Sequence, residues 1–178
     1  FRFYISLSNH KKLKKMSWLK KIANKIFNDR NQLIKVVEAW KKENKKIVFT
    51  NGCFDLLHLG HIDYLSKAAD LGDRLIIGLN TDDSVSKLKG PLRPVINEVT
   101  RAHKLASMEF VDAVIYFNEE TPLELINQTK PNVLVKGGDY TIATIVGSTE
   151  VIKLGGSVEV IPFLKGHSST AIIERIKG

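Results

Sequence analysis

Apolar residues in this chain gather into short continuous runs, and the stretches between them show apolar positions three and four residues apart. Ile47-Val48-Phe49, Leu75-Ile76-Ile77-Gly78-Leu79, Ala113-Val114-Ile115-Tyr116-Phe117 and Asn132-Val133-Leu134-Val135 are too short for helices and apolar on both sides, the pattern of strands covered on both faces. A fifth strand is expected from Ser157 to Phe163. Between them, Leu33, Ile34, Val37 and Trp40 make one stripe of a helix that Asn31 caps and that runs to about Asn44. Ile62 to Ala69 continues a second helix. Asn80-Thr81-Asp82-Asp83 caps a short one over Ser84 to Leu88. Asn97 opens another to about Phe110, with Val99, Ala102, Leu105, Ala106 and Met108 mostly inward. Thr121-Pro122-Leu123-Glu124 reads as cap, first helical position and first-turn acid. Helices near Ser148–Leu154 and after Ser168 complete the set. Strand and helix alternate throughout, so the expected class is α/β, one parallel sheet of about five strands with right-handed crossovers.

Composition agrees with a globular domain: 178 residues, 43% of them hydrophobic. One cysteine excludes an internal disulfide and suits a reducing compartment, the cytoplasm. No apolar run approaches the roughly 18 residues of a membrane span, so stable insertion is not expected. The net charge of +8 changes the picture only once it is located. Residues 1–30 carry nine basic side chains against Asp29 alone, and residues 31–178 carry equal numbers of each sign. The expected division is a basic extension, 1–30, and a domain, 31–178, that is not a nucleic-acid binder by charge. Met16 is a candidate start, with residues 1–15 upstream of it. Trp18, Leu19, Ile22 and Ile26 have near-helical spacing among lysines; the plain reading is a solvated helical lead-in, and the alternatives are docking on the domain or contact with an anionic surface.

The chemistry is densest just after the first strand, in Thr50-Asn51-Gly52-Cys53-Phe54-Asp55-Leu56-Leu57-His58-Leu59-Gly60-His61. This is strand, glycine turn, helix. Such turns present helix N-terminal N–H groups beyond the carboxyl end of a sheet, where anions bind. His58 and His61, three apart, lie on one face of the helix start. A structural cap or a zinc site would use similar residues, but zinc lacks a convincing third ligand and no metal site is expected. Other candidates fall on the same rim. Lys87, Lys89 and Arg93 stand in a loop broken by Gly90, Pro91 and Pro94; Lys136-Gly137-Gly138-Asp139 follows the fourth strand; Ser168-Ser169-Thr170 precedes the last helix. There is no Walker sequence and no G-x-G-x-x-G after the first strand, so a phosphate site would rest on the histidine pair.

Asn51-Gly52-Cys53-Phe54-Asp55 with His58-Leu59-Gly60-His61 resembles the signature of the HxGH nucleotidyltransferase superfamily. The resemblance implies a Rossmann-like, doubly wound fold and two histidines that hold a nucleoside triphosphate. Within that group, Gly78-Leu79-Asn80-Thr81-Asp82-Asp83-Ser84-Val85, Lys87-Leu88-Lys89-Gly90, Arg93-Pro94, Leu134-Val135-Lys136-Gly137-Gly138-Asp139-Tyr140 and Ser168-Ser169-Thr170 are similar to the branch that adenylylates D-glycero-D-manno-heptose 1-phosphate. That branch implies AMP transfer from ATP, with ADP-heptose and pyrophosphate as products, for lipopolysaccharide core or a related surface glycan. No sugar kinase precedes the domain in these residues, so the expectation is a stand-alone transferase. Phe163-Leu164-Lys165-Gly166-His167 stands where the cytidylyl branch has Arg-Thr-Glu-Gly-Ile, which sets glycerol 3-phosphate cytidylyl transfer in second place.

The roles this implies are as follows. His58, His61, Lys87 and Lys89 act in catalysis. Asn51, Gly52, Cys53, Phe54, Lys136, Gly137, Ser168, Ser169 and Thr170 join the histidines around the nucleotide. Asp82, Arg93 and Asp139 join the two lysines around the sugar phosphate, the lysines and Arg93 alternatively meeting the β/γ-phosphates and Asp139 the nucleotide; Asp55 either orients the signature turn or meets the sugar hydroxyls. Mg²⁺ is expected with ATP, held by substrate oxygens and water. The expected partners are ATP and a sugar 1-phosphate, with a homodimer as the expected assembly and no nucleic acid. A nucleotide-binding module without turnover, and a surface binder acting through the basic extension, are the readings from other classes.

Overall fold

The computed structural model describes residues 16–138, 140–164 and 166–177. Eight helices and six strands alternate among them: α1 (Trp18–Ala23), β1 (Ile26–Phe27), α2 (Arg30–Lys42), β2 (Ile47–Gly52), α3 (Leu59–Ala69), β3 (Arg74–Asn80), α4 (Asp82–Lys89), α5 (Glu98–Ala106), β4 (Ala113–Phe117), α6 (Leu123–Thr129), β5 (Val133–Gly137), α7 (Ser148–Lys153), β6 (Ser157–Ile161) and α8 (Ser169–Lys177). The strands form one sheet in the order β1-β4-β3-β2-β5-β6, and every pair is parallel.

Continuous apolar strands make sense in this architecture because alternate residues serve opposite faces. Val48, Leu75, Ile77, Val114, Val133 and Val135 pack with Leu65 and Ala68 of α3 and Ala102 and Leu105 of α5. Ile47, Phe49, Ile76, Ile115 and Leu134 pack with Leu33 and Val37 of α2, Leu125 and Ile126 of α6 and Val151 of α7. From β2 the chain winds outward through β3 to β4, then returns to place β5 and β6 on β2's other side. The reversal makes β2/β5 a switch point, and a crevice is expected outside the carboxyl ends of those strands. The ladder opens there: β2 pairs with β5 only at Val48–Val133 and Phe49–Leu134, whereas β2 and β3 stay paired as far as Gly52–Leu79.

The sixth strand is the main departure from the expected sheet. Ile26 and Phe27 pair with Val114 and Ile115, and the Val114 N–H donates to the Lys25 carbonyl at 2.8 Å. Residues of the expected solvated lead-in therefore dock on the domain: Ile22 and Ile26 pack against one core and Phe27 against the other, while Trp18 and Leu19 stay 72% and 68% exposed. Residues 1–15 lie outside the described ones. Smaller departures concern caps. Asp29, not Asn31, caps α2, its carboxylate accepting from the Asn31 N–H at 2.9 Å. Pro122 rather than Thr121 occupies the cap of α6, with no side-chain bond. α5 ends at Ala106 instead of continuing to Phe110, and Val99, expected inward, is 58% exposed.

Candidate active site

The signature turn leaves β2 at Gly52 and reaches α3 through Phe54, whose φ of +46° is left-handed. His58 caps α3 in an extended conformation. Its N–H donates to His61 Nδ1 at 3.4 Å. That bond makes Nδ1 the acceptor and leaves the proton on Nε2, so a neutral His61 is already a donor. The two rings stack with centroids 3.9 Å apart, and Phe54 meets His61 edge-on at 5.5 Å. Burial, the neighbouring His58 and Lys89 together push His61 down to about 4. Burial, then His167, lowers His58 as well, and its Nδ1 is buried without a protein partner. Both rings are held uncharged at neutral pH in a place where an arriving anion would favour their protonation.

Two adjoining cavities open at the crevice. One, of about 250 Å³, is lined by His61, Phe54, Tyr64, Phe163 and Gly137. The other, of about 410 Å³, runs over Asn80, Glu120, Thr121, Thr144 and Ile145. Asn51, Gly52, Cys53, Lys89, Lys136 and Tyr140 line both. Lys136 crosses the switch point, its Nζ donating to Asn51 Oδ1 at 3.3 Å and lying 5.7 Å from the Tyr140 ring centre. Burial lowers its pKa, and only the nearby Cys53 works the other way. Gly137 is required by close approach: a Cβ there would stand 2.6 Å from the Phe163 ring and 3.1 Å from that of Tyr64.

The structure brings together at these cavities Asn51, Gly52, Cys53, Phe54, His61, Lys89, Lys136 and Gly137, with His58 stacked behind His61. Asp55 also borders the first, but its carboxylate faces inward. It is 2% exposed and accepts from the N–H groups of Val95 and Ile96 at 2.9 Å and from Arg93 Nε at 2.6 Å. Burial alone would raise its pKa; those donors hold it below the ordinary carboxylate value. Asp55 and Arg93 thus anchor the loop after α4 to the signature turn, the orienting role expected for Asp55, while Arg93 Nη2 is buried without a protein partner. Asp82 and Lys87 lie elsewhere. Asp82 pairs with Arg101, and Lys87 is exposed on α4 beyond the cavity lining. The Ser168 hydroxyl accepts from the Ala171 N–H, a helix cap, and the Ser169 hydroxyl donates to the Leu56 carbonyl at 3.1 Å. The Ser169 bond ties the N-terminus of α8 to the signature turn and uses that hydroxyl's proton, whereas Ser168 only accepts in its cap bond and keeps its O–H to donate. Asp139 and the side chain of Thr170 lie outside the described residues.

Arg101 is the residue that sequence reasoning missed. It is fully buried, and its guanidinium donates to the carbonyls of Cys53, Asn80 and Ile96 and to the Asp82 carboxylate. One side chain therefore ties together the signature turn, the end of β3, the start of α4 and the loop before α5. Its signal was a charge four residues before Leu105, on the same inward stripe. Among the described residues no group of three His, Cys, Asp or Glu side chains converges as a metal site, and no helix is long and apolar enough to cross a membrane.

Comparison with known proteins gives the arrangement its family. A family model described as cytidylyltransferase-like matches residues 49–175. The chain is 54% identical over 147 residues to the bifunctional protein HldE of Syntrophotalea carbinolica, covering 83% of this chain and 30% of that protein. It is 55% identical over 148 residues to the HldE of Caulobacter vibrioides, covering 83% and 31%. The chain thus spans about 30% of the length of the curated relatives it matches. Among solved structures, a lipopolysaccharide core biosynthesis protein from Thermoplasma volcanium superposes with a TM-score of 0.54 at 27% identity, over 69% of this chain and 99% of that one. A pantoate-β-alanine ligase from Francisella tularensis superposes at 0.59 with 19% identity, over 85% and 76%, a likeness of fold alone.

Proposed function

We propose that this chain, which belongs to the cytidylyltransferase-like family of nucleotidyltransferases, transfers AMP from ATP to D-glycero-D-manno-heptose 1-phosphate. The carrying observation is the stacked His58–His61 pair at the N-terminus of α3, with His61 on the wall of the first of two adjoining cavities at the switch point and Lys89 and Lys136 lining both. The cavity beside the histidines is walled by the Phe54, Tyr64 and Phe163 rings, and its neighbour sets Asn80, Glu120, Thr121 and Thr144 among apolar Leu88, Phe117, Leu134 and Ile145, so the two offer room for a nucleotide and for a second substrate. The heptose rests on the motifs from Gly78 to Tyr140 and on similarity to proteins named HldE. The Thermoplasma volcanium neighbour, a lipopolysaccharide core biosynthesis protein by title, supports the same pathway class.

The chemistry follows from charge. The acceptor phosphate is anionic at neutral pH, so one of its oxygens attacks the α-phosphorus of ATP without a general base. The new P–O bond forms as the bond from the α-phosphorus to the α,β-bridging oxygen breaks, and pyrophosphate departs with that electron pair. The obstacle is electrostatic, two anions brought together, and the remedy is placed donors and cations. His61 Nε2–H donates to the transferring phosphoryl group. Lys89 and Lys136, on the rim shared by both cavities, offset charge on either substrate. The N-terminus of α3 adds its partial positive charge. A hard divalent cation such as Mg²⁺ enters with ATP as part of the substrate, since among the described residues the carboxylates bordering the cavities are the engaged Asp55 and Glu120. Use of ATP places this activity in the cytoplasm.

The test is pyrophosphate release by the purified chain with Mg²⁺, pairing ATP, CTP and GTP with the α and β anomers of the heptose 1-phosphate and with glycerol 3-phosphate. The expected result is release with ATP and one heptose anomer. Release with CTP and glycerol 3-phosphate instead would replace the substrate assignment.

A further inference from the structure

The histidine pair has a third member. His167 lies 6.4 Å from His58, centroid to centroid, with the ring planes within 23° of parallel. His58 therefore has two imidazole neighbours, His61 on the cavity wall with planes 29° apart and His167 with planes 23° apart. The outer ring is held in register by its neighbours rather than by burial. The Ser168 cap fixes the start of α8, and the Ser169 bond to the Leu56 carbonyl ties that start to the signature turn. Gly60 permits the approach: a Cβ there would stand 3.2 Å from His167 Cβ and 3.0 Å from His58 Nδ1. The His167 side chain itself is exposed, so the core does not need it.

A triphosphate is an extended anion, and donors at its α-phosphate alone leave its far end unneutralised. The His167 ring supplies a further donor beside His58 and His61, and the N-terminus of α8 adds a second helix dipole there. Resting on the function proposed above, we propose that His167 is a third imidazole of the triphosphate site, donating to the outer phosphates that leave as pyrophosphate. Ser169 then acts indirectly, by tying the start of α8 to the signature turn.

The proposal separates ligands by their phosphates. The full chain and its His167→Ala and His167→Gln variants would be titrated with ATP, inorganic pyrophosphate and AMP by calorimetry. Loss of a hydrogen bond to a charged group predicts about tenfold or greater weakening of ATP and pyrophosphate in His167→Ala. AMP, without outer phosphates, should bind as before, and glutamine, which keeps an N–H donor, should recover most of the loss. Unchanged ATP affinity in His167→Ala would overturn the proposal. Equal weakening of ATP and AMP would also overturn it, by showing that the ring shapes the site instead of touching the outer phosphates. Failure of the unsubstituted chain to bind ATP or pyrophosphate would bring down the function itself, a result distinct from equal binding by all three proteins.

Discussion

Arg101→Ala should remove about 2–5 kcal/mol of folding stability, the usual range for truncating a large, fully buried side chain, Asp82, its charged partner, being 37% exposed. The substitution leaves a cavity where a fully buried side chain stood. It also strips a donor from the carbonyls of Cys53, Asn80 and Ile96. A domain of this size holds on the order of 5–15 kcal/mol in total, so the loss would be visible as a large drop in the urea midpoint. Arg101→Lys should fall only partly short of that loss, because one ammonium cannot reproduce the guanidinium fork. Urea unfolding of the three proteins measures this. A midpoint for Arg101→Ala equal to the parent's would show that the network carries no stability.

His61→Ala should lower kcat by about 10²–10³ with the fold intact, the usual loss for one donor aimed at a transferring group. The ring is a donor while neutral, by the Nδ1 bond from the His58 N–H, and its pKa near 4 in the free protein keeps it neutral. An anionic triphosphate beside it must raise that value. ATP binding near pH 6 should therefore take up protons, seen calorimetrically as a heat that varies with the ionisation enthalpy of the buffer. The uptake should shrink in His61→Ala. Near-normal turnover in that variant, with circular dichroism unchanged, would remove His61 from the mechanism.

How far the sequence alone led depended on the range of the interaction. The continuous apolar runs at Leu75–Leu79 and Val133–Val135 made strands because a parallel sheet buries both faces, and a local pattern carries that. β1 escaped because two residues have no period; Ile26 and Phe27 are a strand only through Val114 and Ile115, far along the chain. The histidine pair was legible because helix geometry turns a spacing of three into one face. Arg93 was legible as a phosphate ligand from its loop on the rim, but its ion pair was not. Its partner Asp55 is 38 residues away, and no spacing rule records that pair. Ser169 shows the same limit: its hydroxyl, expected to meet a ligand, donates to the Leu56 carbonyl 113 residues away in the chain. Asn51 and Lys136, 85 residues apart, were each marked by position after a strand, and the switch point between β2 and β5 joins them.

The central claim is that the α-phosphorus is attacked and pyrophosphate leaves. The most direct measurement is the fate of label from ATP carrying ³²P at either the α or the γ position, incubated with the chain, Mg²⁺ and the heptose 1-phosphate. Label from the α position should appear in a sugar nucleotide, and label from the γ position should appear only in pyrophosphate. γ-Label found in the sugar product, with ADP released, would mean phosphoryl transfer and would contradict the account.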